Sequence, residues 1–326
     1  MQNILKTPVP FESAQLIISQ QFGRESKISS IDELKDGFFN AAYRIKLENG
    51  EQCVLKVAPS PDVPILRYEQ DIMRAEVESM RLVKALTEMP IPKIHFFDDS
   101  LTLLPSPYFG MEFVNGTPLN RLRETLSQSE QSEIDMACGR YLKQMNSITG
   151  NQFGLFAHPE NHVTPWAVVF ENLMNNVLQD GNDAKVELPF SPKEIIDIIQ
   201  CHYSVLSEVR TPVLVHWDLW DGNIFIDPQT RKIIGIIDFE RCLWADPLME
   251  VNFGAFGINH NFLRGYGQSF PFSPSQVIRR TLYNVYLFLI MVIECTYRHY
   301  PKNDQEIWAR SRLIDEFSKL KTNQFA

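Results

Sequence analysis

Eight residues, His216-Trp217-Asp218-Leu219-Trp220-Asp221-Gly222-Asn223, spell H-x-D-x-x-x-x-N. Short apolar runs flank them, Val213 to Val215 on one side and Ile224 to Asp227 and Ile233 to Ile237 on the other, and Ile236-Ile237-Asp238-Phe239-Glu240 closes the stretch. Runs this short, separated by turn residues, read as strands, the last two as a hairpin. The hairpin returns Asp238 to the side of Asn223, so the fold has to gather polar side chains from two separate motifs at one place. The first motif alone would arise by chance in about one chain per hundred of this length at ordinary residue frequencies. The second, standing where the hairpin puts it, makes coincidence a poor account.

Phosphoryl transfer needs that grouping. A carboxylate must meet the attacking hydroxyl, and a divalent metal must lie across the phosphates, for which oxygen ligands suit Mg²⁺. Asp218 is spaced for the first task. Asn223, five residues on, and Asp238, across the hairpin, are spaced for the second. An amide and one carboxylate hold the metal without over-neutralising it. A loop-capping carboxylate is the plainer alternative for Asp218, and His216 is expected to hold the loop backbone rather than to move protons.

The first 115 residues differ in character from the rest. Ala42 to Leu47 and Gln52 to Val57 alternate around Asn49-Gly50, a hairpin signal because both turn residues tolerate positive φ. Pro59, Pro61 and Pro64 break the chain before a helix expected over Arg67 to Leu86, whose stripe Ile72, Met73, Met80, Val83 has helical spacing. Ile94 to Phe97 and Tyr108 to Val114 read as strands, and Gly116 and Pro118 mark a junction. Beyond it, Ser191-Pro192-Lys193-Glu194 and Ser273-Pro274-Ser275-Gln276 read as capping boxes with proline at the first helical position. The second opens a long helix, to about Arg298.

Together these residues resemble the aminoglycoside phosphotransferase and choline kinase group, small-molecule kinases with a protein-kinase-like fold. The resemblance covers most of the chain and is strongest at 214–240, with further matches at 37–57 and 107–118. It implies an α+β bilobal architecture: a nucleotide-binding N-lobe at 1–115, with a small antiparallel sheet and one main helix, and a larger, mainly helical C-lobe at 116–326 with the catalytic loop and acceptor site. It implies an ATP- and Mg²⁺-dependent phosphotransferase acting on a hydroxyl of a small molecule in the manner of the aminoglycoside phosphotransferases, with choline or ethanolamine, homoserine, a thiosugar or a macrolide as alternative acceptors and GTP as the alternative nucleotide. On that resemblance Asp218 is the catalytic base, Asn223 and Asp238 are the metal ligands, and Lys56 in Cys53-Val54-Leu55-Lys56-Val57 binds the α- and β-phosphates. A lysine turned inward from an apolar strand is costly without a charged partner. Its expected partner is Glu76 on the following helix, with Glu69 on roughly the same face as the competitor. Tyr108 to Gly116 resembles the hinge strand, with Met111 against the adenine, the Glu112 carbonyl accepting from its amino group and the Val114 N–H donating to the ring. Asp36-Gly37-Phe38-Phe39-Asn40 stands where the phosphate-covering loop belongs, with a single glycine. Two positions depart from the pattern: Trp220 stands where choline kinases have glutamine, and Glu250 where the family has aspartate.

Charge and composition narrow the partners. A net charge of −9 argues against nucleic acid, which needs a positive field, and against anionic membrane surfaces. The strongest apolar run, Leu287 to Ile293, is seven residues, short of the roughly 20 that span a bilayer. Five cysteines at least 41 positions apart form no metal spacing and read as reduced thiols, and Met1 to Pro10 shows no signal peptide, so a cytoplasmic location is expected. Between 171 and 250, 14 acidic residues face six basic ones. That block hints at a cationic acceptor such as an amino sugar or a choline-like head group, although it includes Asp218 and Asp238. Trp217 and Trp220 flank the base and are candidates for stacking on a sugar ring or an ammonium. The rival outside this class is a non-catalytic nucleotide-binding protein on the same fold, against which the joint presence of Lys56, Asp218, Asn223 and Asp238 argues. No feature of the sequence sets the oligomeric state.

Overall fold

The computed structural model describes residues 6–35, 37, 39–300 and 303–322. Helix α1 (Phe11–Phe22) lays Ala14, Ile17 and Ile18 against strands β1 (Ile28–Leu34), β2 (Ala41–Leu47) and β3 (Gln52–Val57). The Asn49-Gly50 turn joins β2 to β3 as expected, with Gly50 at φ 91°, and sets Ala42 opposite Lys56. After helix α2 (Ile72–Leu86) come β4 (Ile94–Asp98) and β5 (Tyr108–Glu112), and the antiparallel sheet has the order β1-β2-β3-β5-β4.

Helix α2 begins at Ile72, where its apolar stripe starts, and five residues after the expected Arg67 boundary. Arg67–Glu69 forms a separate 3₁₀ turn, and Asp71 takes φ 56° between turn and helix. The reason is long-range. Glu69 accepts from the Leu66 N–H at 2.8 Å and pairs with Arg298, 229 residues away, and this holds the turn off the helix axis.

The remaining chain is mainly helical. It runs through β6 (Thr117–Pro118), α3 (Leu119–Leu122), α4 (Gln128–Met145), β7 (Gly154–Leu155), α5 (Trp166–Asp183), α6 (Pro192–Cys201) and α7 (Tyr203–Leu206). The strands β8 (Val213–Val215), β9 (Ile224–Ile226), β10 (Ile233–Ile236) and β11 (Leu243–Ala245) follow, then α8 (His260–Tyr266), α9 (Pro274–Arg298) and α10 (Asp304–Thr322). The short strands form two three-stranded sheets, β10-β9-β6 and β7-β11-β8, that carry the H-x-D loop between them. The result is α+β and bilobal, a small sheet with one main helix against a larger helical body.

Both expected capping boxes form: the Ser191 and Ser273 hydroxyls accept from the Glu194 and Gln276 N–H groups, each at 3.3 Å. A third, Ser127 with Glu130, opens α4 and was not singled out in the sequence. Helix α9, 25 residues, is long and apolar enough to cross a bilayer, yet most of it is buried inside the helical body. Tyr286, Phe288, Leu289, Ile290 and Ile293 are almost fully enclosed there.

Helices α4 and α8 approach backbone to backbone. A Cβ on Gly139 would overlap the Phe262 carbonyl oxygen and stand 2.6 Å from the Tyr266 nitrogen, and one on Gly265 would overlap the Met136 carbonyl. Neither obstacle can rotate away. Gly139→Ala is therefore expected to destabilise by about 1–3 kcal/mol through overpacking, although alanine gains about 1 kcal/mol in helix propensity. Urea unfolding measures the balance, and an unchanged midpoint would show that the helices have room to separate.

Candidate active site

Lys56 points inward from β3 and is buried. Its Nζ lies 2.7 and 2.9 Å from the two Glu76 carboxylate oxygens, 2.7 Å from Asp238 Oδ1 and 3.2 Å from Glu240 Oε2. Burial pushes the ammonium's pKa down, but Asp238, Glu240 and Glu76 together outweigh it and hold it well above its ordinary value. Lys56 is thus charged. At Glu76 burial raises the pKa more than Lys56 lowers it, as expected where three carboxylates share one ammonium. Of the two glutamates open in the sequence, Glu76 on α2 meets Lys56, whereas Glu69 in the preceding turn is taken by Arg298.

Two members of this cluster carry no assignment from the sequence. Glu240 joins Lys56, and Asn40 Nδ2 donates to Glu240 Oε2 at 2.6 Å. The expected phosphate-covering segment is thereby tied to the D-F-E motif, although its Asp36 and Phe38 lie outside the described residues. The signal for Glu240 was present, since an acidic residue two positions beyond Asp238 shares its turn.

The catalytic-loop motif and the D-F-E motif meet as the hairpin requires. Strand β9 pairs with β10, Ile224 opposite Ile236, and the Ile237 N–H donates to the Asn223 carbonyl at 3.1 Å. Trp217 and Asp238 take φ 63° and 71°, a region bulky residues enter only when neighbours hold them there. At Trp217, Glu250 supplies that hold. Its carboxylate oxygens accept from the His216 and Trp217 N–H groups, each at 2.8 Å, and from Asn146 Nδ2 at 3.2 Å. Its side chain is one methylene longer than the aspartate that the resemblance leads one to expect there. Burial pushes it up to about 7, with the two backbone donors opposing.

His216 stays neutral because burial lowers its pKa to about 4. Its Nδ1 accepts from the Asp218 N–H and its Nε2 donates to the Ile237 carbonyl, both at 3.2 Å, so it braces the two motifs. Asn223 Nδ2 donates to the Asp218 carbonyl at 2.9 Å, which leaves the amide oxygen as the end available to a metal. Burial pushes the Asp218 carboxyl up to about 7, against Arg241 and with Asp238 and Glu240 adding to the rise.

Two sets of oxygen donors here could meet a divalent metal. Glu76, Asp238 and Glu240 bring carboxylate oxygens within 4.8 Å of one another, but Lys56 already places a positive charge among them. The Asp238 carboxylate with the Asn223 amide oxygen, beside Asp218, is the better fit. Both are hard oxygen donors suited to Mg²⁺.

Other expected site residues stand apart from this cluster. Met111 is buried opposite Val54, the Glu112 carboxylate accepts from the Lys93 N–H at 3.2 Å, and Val114 packs on Gly235. A surface groove of about 440 Å³ runs along Glu112 to Asn115 and Met89 to Pro92, and none of Lys56, Asp218, Asn223 and Asp238 lines it. Trp217 stacks on Tyr286 at 5.2 Å and 8°, which makes it core. Trp220, two residues after Asp218, is 47% exposed and lies across Gly222. The acids of 171–250 disperse: Asp180 and Asp183 hold Arg67, Asp246 and Glu208 hold Arg279, Asp221 holds Arg123, and Glu194 holds Lys321.

The model of the Phosphotransferase enzyme family matches residues 30–270. The chain belongs to that family. This phosphotransferase is 24% identical over 283 residues to a candidate ketoamine kinase of Vibrio vulnificus, covering 83% of this chain and 90% of the relative. It is 25% identical over 224 residues to a methylthioribose kinase of Bacillus cereus, covering 62% of this chain and 54% of the relative. Among solved structures, a fructosamine-3-kinase candidate from Haemophilus somnus superposes with a TM-score of 0.70 at 18% identity, covering 94% and 97% of the two chains. An aminoglycoside phosphotransferase in ternary complex with AMP-PNP and hygromycin B gives 0.66 at 16%, covering 96% and 100%. These likenesses establish the protein-kinase-like fold, and the phosphotransferase is a small-molecule kinase of this family.

Removing the Glu250 carboxylate leaves two buried N–H groups without acceptors. Glu250→Ala is expected to lower the unfolding free energy by about 2–4 kcal/mol. Denaturant unfolding measures it, and a loss below about 0.5 kcal/mol would mean that the loop keeps its shape unaided.

Proposed function

We propose that this chain is an ATP- and Mg²⁺-dependent kinase that phosphorylates a hydroxyl of a sugar-derived small molecule, with ketoamines as the first acceptors to test. One observation carries the reading. Lys56, Asp218, Asn223 and Asp238, drawn from β3, the H-x-D loop and the hairpin end, sit in one connected cluster.

In this reading residues 1–115 form the nucleotide lobe and 116–326 the acceptor lobe. Lys56, kept charged by its carboxylates, holds the α- and β-phosphates. The backbone of Glu112 and Val114 receives the base, with Met111 against its ring, and GTP is the alternative to ATP. Asn223 and Asp238 would hold Mg²⁺, which when bound neutralises charge on the phosphate oxygens. Asp218 orients the acceptor hydroxyl and accepts its proton as the new O–P bond forms to the γ-phosphoryl group, while the β–γ bridging oxygen leaves with ADP. A carboxyl raised towards neutrality suits that role.

Two observations support a sugar-derived acceptor. The half-exposed Trp220, two residues after Asp218, offers an aromatic face to a sugar, and relatives bear the names of ketoamine and methylthioribose kinases. An amino-sugar antibiotic is the second reading, favoured by the solved neighbour that holds hygromycin B.

Asp218→Ala is expected to lower kcat by at least about 10²–10⁴-fold while nucleotide affinity is retained. Turnover near the wild-type rate would remove Asp218 from the mechanism. Release of ADP across a panel of ketoamines, amino sugars, methylthioribose and choline, with Mg²⁺ and after its removal by chelation, tests the whole reading. Metal-dependent nucleotide binding without ADP release on any acceptor would favour a binding module instead.

A further inference from the structure

Arg241, directly after Glu240, is a guanidinium with spare hydrogen-bonding capacity next to Asp218. Its side chain is only 15% exposed. A guanidinium has five N–H donors, yet the hydrogen bond that holds this one is long, 3.4 Å from Nη2 to Glu294 Oε2. Charge-assisted bonds of this kind normally close to about 2.7–2.9 Å. The guanidinium lies over the Tyr68 ring, Cζ 5.6 Å from its centroid, and the Tyr68 ring meets that of Trp217 edge-on at 6.3 Å. Arg241 is the cation that most opposes the burial of the Asp218 carboxyl, and Tyr68 meets the ring of Trp217, the residue before Asp218 in the chain.

Tyr68 adds a second, independent sign. It is 6% exposed, and its hydroxyl has no hydrogen-bond partner among the described residues. Nearly every buried polar group in a folded protein finds a partner. A donor without one, beside an under-used guanidinium, marks a place for a ligand.

We propose that Arg241 and the Tyr68 hydroxyl bind a carboxylate on the acceptor whose hydroxyl faces Asp218. This rests on the kinase reading above and names the acceptor more closely. A carboxylate takes two parallel N–H bonds from a guanidinium and a third bond from the phenol. With Glu294 already facing Arg241, a single negative charge meets less repulsion there than a phosphate dianion would. A ketoamine made from an amino acid has this carboxylate together with a protonated amine.

The test compares two probes, the ketoamine of fructose with glycine and the same ketoamine of glycinamide, with Mg-ATP and the full chain. For the wild type, kcat/KM is expected to favour the carboxylate by about 10- to 100-fold. Arg241→Gln removes that preference through the acceptor KM, with the KM for ATP unchanged, and Arg241→Lys retains part of it. Equal use of both probes by the wild type, a comparison that needs no variant, overturns the inference and leaves the kinase reading standing. So does an Arg241→Gln enzyme that keeps the preference, or one that loses kcat equally on both probes with a raised KM for ATP, which would put Arg241 on the transferred phosphoryl group. Turnover of neither probe overturns the ketoamine assignment and this inference together.

Discussion

A buried ammonium cannot stand alone, and the active site is organised around that constraint. Lys56 is held by Glu76 from the same lobe and by Asp238 and Glu240 from the other. Removing one partner of such a cluster typically costs about 3–5 kcal/mol, because the remaining charges stay buried and uncompensated. The ion cluster therefore sets the position of α2 against β3 and of the D-F-E turn against both. Its carboxylates also outnumber its single ammonium, a charge balance that suits a site receiving further cations.

The second level of order is backbone capture by side chains. Glu250 and His216 together engage the N–H groups of three consecutive residues, His216, Trp217 and Asp218. This lets Trp217 keep a left-handed conformation, with its ring stacked into the core on Tyr286. Asp218 follows directly, half-buried, on a loop whose backbone is fixed on both sides. The position of Asp218 is thus set by side chains outside the H-x-D motif as well as within it.

Much of this was legible in the chain. The two motifs, the hairpin between them, the Asn49-Gly50 turn and both proline-led capping boxes are local signals, and each forms where spacing places it. The start of α2 was not legible, because the Glu69–Arg298 pair that displaces Arg67–Glu69 joins segments 229 residues apart. The acidic block between 171 and 250 hints at a cationic acceptor, yet six of its 14 acids are already paired with three arginines and a lysine. A charge count carries no direction.

The sequence by itself determined the chemistry: which side chains are available, their spacing along the loop and hairpin, and the α+β bilobal class. Only the tertiary structure decided the partners. It chose Glu76 over Glu69 for Lys56, sent Trp217 to the core and left Trp220 at the surface, set Glu250 under the loop and placed Arg241 beside Tyr68. The physical reason is that periodicity fixes the face on which a residue sits within its own element. Which distant group meets that face depends on how whole elements pack, and in this protein the packing is settled by charges that cannot be buried alone.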